Sequence, residues 1–107
     1  MSFISNSNKG FNMTFENGFS ISVQWGVGNY CTRRGSGEWN ESMSKDHWES
    51  ATAEIAVFDK DGDMVEIGEV DTVAGWLTTD DVAAAIVIVQ QATSSEGMSN
   101  KFKQLKF

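Results

Sequence analysis

The sequence predicts an α+β fold: an antiparallel sheet of four to five strands packed on one helix in the C-terminal half, within a single domain of residues 1–107. Three observations carry this. From Phe11 to Trp25, apolar and polar residues alternate around an Asn-Gly pair, the sign of a β-hairpin. Residues 48–67 repeat the pattern around Asp59–Asp63. From Thr78 the apolar spacing changes to a helical period, behind a hydroxyl residue and two acids.

Parity sets the register of the first hairpin. Phe11, Met13 and Phe15 point one way on the first strand, and Phe19, Ile21, Val23 and Trp25 one way on the second. A two-residue Asn17-Gly18 loop would pair Phe15 with Ser20 and place the two apolar sets on opposite faces. A three-residue loop, Glu16-Asn17-Gly18, pairs Phe15 with Phe19, Met13 with Ile21 and Phe11 with Val23. Burial of one face selects the three-residue loop, with Gly18 in the left-handed region as a bulge. The second hairpin follows the same rule. A Lys60-Asp61-Gly62 loop pairs Val57 with Val65 and Ile55 with Ile67, and Thr72–Leu77 reads as a fifth strand.

The helix is expected from about Thr79 to Thr93. Val82, Ala85, Ile86 and Val89 form its main stripe, with Ala84, Val87 and Ile88 on the opposite side. A helix that is apolar all round is covered on more than one side. The second cover is either another copy of the protein, with Ala84, Val87 and Ile88 as the oligomer interface, or the central loop folded over it. Residues 31–45 read as a long loop, open to mobility. Residues 94–107 read as a polar linker and a basic tail, KFKQLKF, that either docks on the acidic middle or frays.

Composition limits the function classes. The 107 residues carry a formal net charge of −7, distributed as +2 over residues 1–37, −11 over 38–81 and +2 over 82–107. An acidic middle disfavours direct nucleic-acid binding, which depends on cations displacing condensed counterions. It is either a solvated face or a surface for a basic partner. No apolar run approaches membrane-spanning length, and the N-terminus shows no signal-peptide pattern. A single cysteine, Cys31, forms no internal disulfide and fits a reducing cytoplasm.

No residue set selects a reaction, so a non-enzymatic protein without cofactor or metal is expected. His47 and Cys31 are too few for zinc, and a calcium loop starting at Asp59 would put Met64 and Val70 at its sixth and twelfth positions, where glycine and a carboxylate belong. The binding candidates lie after the first hairpin. Gly26-Val27-Gly28 leads into Asn29, Tyr30 and the chain's only arginines, Arg33 and Arg34. Paired guanidinium groups suit a phosphate or carboxylate, and Tyr30, Trp39 and Trp48 suit stacking on a ring. The expected site is therefore Asn29, Tyr30, Arg33, Arg34, Trp39 and Trp48, holding a small phosphate-bearing molecule. The alternative is that the arginines pair with the protein's own acids and the Trp residues fill core edges.

The blocks TFENGFSISVQWGVGNYC (Thr14 to Cys31), WESATAEIAVFDKDG (Trp48 to Gly62) and GWLTTDDV (Gly75 to Val82) resemble a family of small accessory proteins of tailed bacteriophages and prophages. The resemblance covers about half the chain and transfers no catalytic residue. It implies a viral protein acting in the host cytoplasm. By analogy with compact phage proteins of this size, it suggests a counter-defence factor that self-associates and sequesters a nucleotide-type ligand. The alternatives are an acidic inhibitor of a basic host protein and a structural virion accessory.

Overall fold

A computed structural model of the chain describes residues 1–37, 47–68, 71–105 and 107. The fold is α+β, with five strands followed by two helices: β1 (Ser2–Ser5), β2 (Gly10–Thr14), β3 (Ser20–Gln24), β4 (Ala53–Phe58), β5 (Val73–Leu77), α1 (Thr79–Gln90) and α2 (Ser95–Leu105). The strands form one antiparallel sheet in sequence order, β1-β2-β3-β4-β5.

The β2–β3 hairpin takes the register that parity demands. Phe11 lies opposite Val23 and Met13 opposite Ile21. The Phe15 amide donates to the Phe19 carbonyl at 2.9 Å, and Gly18 has φ +89°, so glycine occupies the position where a side chain would be strained. The second turn matches it, with the Asp59 amide donating to Asp63 and Gly62 at φ +84°. Its return segment does not become a strand. One bridge, Phe58 to Met64, follows the turn, and the Val65 amide donates to Val57 at 2.8 Å. Beyond that point β5 takes the place beside β4, pairing Ala74 with Ile55.

Three elements depart from expectation. The N-terminus supplies a strand, β1, joined to β2 through Ser7 and Asn8, both at positive φ. Asn tolerates that conformation because its short polar side chain bonds locally. The segment from Trp48 to Thr52 stays outside the sheet, with a bend at Ala51, so β4 starts at Ala53. The third departure corrects the reading of the tail: residues 95–105 are helix. The Ser94 hydroxyl accepts from the Gly97 amide at 3.1 Å, satisfying an orphan donor of the first turn. Met98 and Phe102, one turn apart, are buried. Lys103 meets Glu66 at 3.4 Å, so the tail's basic character does engage the acidic middle within the chain.

Helix α1 starts where the sequence places it. The Thr78 side chain accepts from the Asp81 amide, and the Asp81 carboxylate accepts from the Thr78 amide, a capping box. Ala85 and Val89 are fully buried against Ile21, Ile55, Val57 and Leu77 of the sheet. Fully burying each of the larger of these side chains contributes about 1.5–3 kcal/mol. The helix ends at Gln90, short of Thr93. Its second cover within the chain is α2, an element in neither of the alternatives considered above. Ile88 and Ala92 pack with the core, whereas Ala84 and Val87 stay exposed.

Candidate functional site

Past Gln24 the chain leaves the sheet and curls into the loop of residues 25–37. One carboxylate organises its first half. Glu54 of β4 accepts from the Asn29 side-chain amide at 3.0 Å and from the Tyr30 backbone amide at 3.3 Å. The Asn29 carbonyl oxygen in turn accepts from the Gly26 amide at 2.9 Å. Asn29 thus spends both ends of its side chain on the loop itself. Cys31 is buried with its thiol against the Gly26 carbonyl, while His47 is exposed. Among the described residues no group of three or more His, Cys, Asp or Glu is placed to hold a metal ion.

Both arginines lie on aromatic rings. The Arg33 guanidinium sits 4.3 Å from the Trp48 ring centroid, and its Nε donates to the Glu49 carbonyl. The Arg34 guanidinium sits 4.3 Å from the Tyr30 ring and donates to the Gly28 carbonyl at 3.1 Å. Neither forms an ion pair with a carboxylate among the described residues. Stacking of this kind is worth about 0.5–1 kcal/mol at an exposed site and leaves the planar edge of the guanidinium for an anion.

Tyr30 has a second neighbour that the sequence did not suggest. Trp76 stands 5.6 Å from it, ring to ring. An irregularity in the β4–β5 register places an extra residue on β5, and Trp76 adopts φ +52° there. Its amide donates to the Tyr30 carbonyl at 2.8 Å. Gly75 lies so close to Tyr30 that a Cβ there would meet the Tyr30 Cβ at 2.6 Å.

A concavity lies beside Trp48. It is a cleft of about 410 Å³ between α1 and the sheet. Phe11, Val23, Ala53 and Leu77 of the sheet line it, with Val82, Ala83 and Ile86 of α1 as one wall and Trp25 and residues 48–52 as the other. Trp25 and Trp48 lock that second wall by a reciprocal pair: each indole N–H donates to the other residue's carbonyl, at 2.8 and 3.0 Å. The lining is apolar and aromatic, with Glu49, Ser50, Thr52 and Thr79 as its polar members.

The expected site residues are therefore brought into two neighbouring groups. Trp48 lines the cleft, and Arg33 touches two of its wall residues, Trp48 and Glu49. Tyr30 and Arg34 form a surface stack with Trp76, and Asn29 ties the loop down. Trp39 lies outside the described residues. The cleft itself was not anticipated, because Phe11, Val82 and Ile86 read as ordinary core positions in the sequence. Comparison of the chain with protein-family models, curated proteins and solved structures returned no match. No described helix is long and apolar enough to cross a membrane.

Proposed function

We propose that the protein is a binding module without a reaction of its own, which takes the ring of a small ligand into the cleft and meets its anionic group with Arg33. The observation that carries this is the apolar cleft walled by Trp25 and Trp48, with Arg33 stacked directly on that wall. Pockets of this size with few polar members are the common form of small-molecule sites. The parts of a nucleotide match these features: a flat base for the apolar cleft and a phosphate for the guanidinium edge. Glu49 keeps the phosphate at the rim by charge repulsion. The likeness to phage accessory proteins gives such binding a purpose, the withdrawal of a nucleotide signal from the host.

A thermal-shift screen with cyclic dinucleotides, nucleoside monophosphates and ADP-ribose tests this. A ligand at about a hundredfold excess over its Kd stabilises the folded state by about 2.7 kcal/mol, which raises Tm by on the order of 10 °C in a domain of this size. Arg33→Ala should remove the rise for phosphorylated ligands. The absence of any shift across the panel would overturn the nucleotide reading.

A second reading rests on the acids. Asp59, Asp61 and Asp63 lie in the turn after β4 and Asp71 precedes β5, the two strands farthest from β1 in the sheet, and a basic protein could bind there. Salt-sensitive capture by the wild type, lost on reversing the charges of Asp61 and Asp63, would favour it.

A further inference from the structure

We infer that two copies of the chain join through the outer edges of β1, continuing the sheet across a two-fold axis at Ile4. The two ends of the sheet are unlike. At the β5 end the Tyr30 loop lies against the strand, with the Trp76 amide held by the Tyr30 carbonyl and Gly75 in close contact with Tyr30. At the β1 end no described residue pairs with the outer edge. Phe3 is 79% and Ile4 56% exposed there. The strand carries no proline, no lysine and no bulge, three of the features that block edge pairing.

The backbone groups that face outward follow from the ladder. The Asn6 amide donates to the Gly10 carbonyl at 2.9 Å, so these two residues form a hydrogen-bonded pair. Alternation along an antiparallel ladder then makes Ile4 with Asn12, and Ser2 with Thr14, the next such pairs. Phe3 and Ser5 are left with both N–H and C=O directed outward. An antiparallel second copy satisfies them by pairing each Phe3 with the other chain's Ser5. The two Ile4 residues then face each other as a non-hydrogen-bonded pair, where side chains approach most closely.

Charge selects a second copy as the occupant. A chain of net charge −7 repels itself over most of its surface. Strands β1, β2 and β3 contain no ionisable side chain, whereas Glu54 and the acids of residues 59–66 lie on and after β4. Edge pairing through β1 joins the neutral ends and leaves the acidic ends farthest apart.

The test is the mass of the full chain by light scattering over a concentration series. The wild type should reach the mass of two chains. Phe3→Pro removes one outward amide at an edge position that tolerates proline, and Ile4→Lys places a charge on the two-fold axis. Both should halve the mass while keeping the wild-type circular dichroism. In a Cys31→Ser background, Ile4→Cys should form a covalent dimer on mild oxidation and Ser5→Cys should not, because its sulfur atoms would lie too far apart. A wild type that stays monomeric would overturn the proposal. So would a dimer that survives both edge variants but separates on Val87→Asp, and equal cross-linking at positions 4 and 5 would overturn the register.

Discussion

At Asn17 one side chain closes a turn and a helix together. Its carbonyl oxygen accepts from the Phe19 amide at 3.0 Å, while its amide group donates to the carbonyls of Val89, Gln90 and Ala92 at 2.9, 3.2 and 3.0 Å. Val89 and Gln90 belong to the last turn of α1, whose carbonyls lack partners within the helix, and Ala92 follows its end. Asn17→Ala should therefore destabilise the fold by about 1–3 kcal/mol, measured by urea unfolding. Asn17→Asp should be at least as harmful, since a carboxylate donates nothing and is repelled by the negative end of the helix. Gly18→Ala, at φ +89°, should cost about 1–2 kcal/mol. The sequence showed Asn17 only as a turn residue. Its second role is invisible there because it joins positions more than seventy residues apart.

Among the elements, the strands were legible where one face is buried and the other is not. The parity of Phe11, Met13, Ile21 and Val23 admits a single register, so loop length followed from burial alone. Helix α1 was legible through its hydroxyl N-cap and the acids of its first turn. Helix α2 was not, because Ser95, Gly97, Ser99 and Asn100 are weak helix formers and only Met98 and Phe102 mark its inner face. Its stability comes from docking, not from propensity. Phe102 is fully buried, and Phe102→Ala should cost about 3–5 kcal/mol in the same unfolding assay, with α2 and the Ile88 side of α1 losing hydrogen-exchange protection first. Strand β1 was missed because Phe3 and Ile4 lie on opposite faces and neither is buried, so no alternation marks it. The candidate site was legible in its chemistry but not in its arrangement. The run from Asn29 to Arg34 did carry a ring and the cations, yet the cleft beside it is assembled from β2, β3, β4, β5 and α1, whose apolar residues look like core in one dimension.

For the whole molecule, the sheet and the two helices bury a core centred on Ile21, Ile55, Val57 and Phe102 and leave an apolar opening beside Trp48. Filling that opening should cost little stability, because Ala83 is an exposed helix position at its rim. Calorimetric titration of the wild type and of Ala83→Phe, with whichever phosphorylated ligand gives the largest thermal shift, tests the account most directly. The expected result is one site per chain in the wild type and at least a tenfold weaker Kd in Ala83→Phe, with its unfolding midpoint unchanged. Undiminished binding by Ala83→Phe, with the fold intact, would contradict the account and move the ligand out of the cleft.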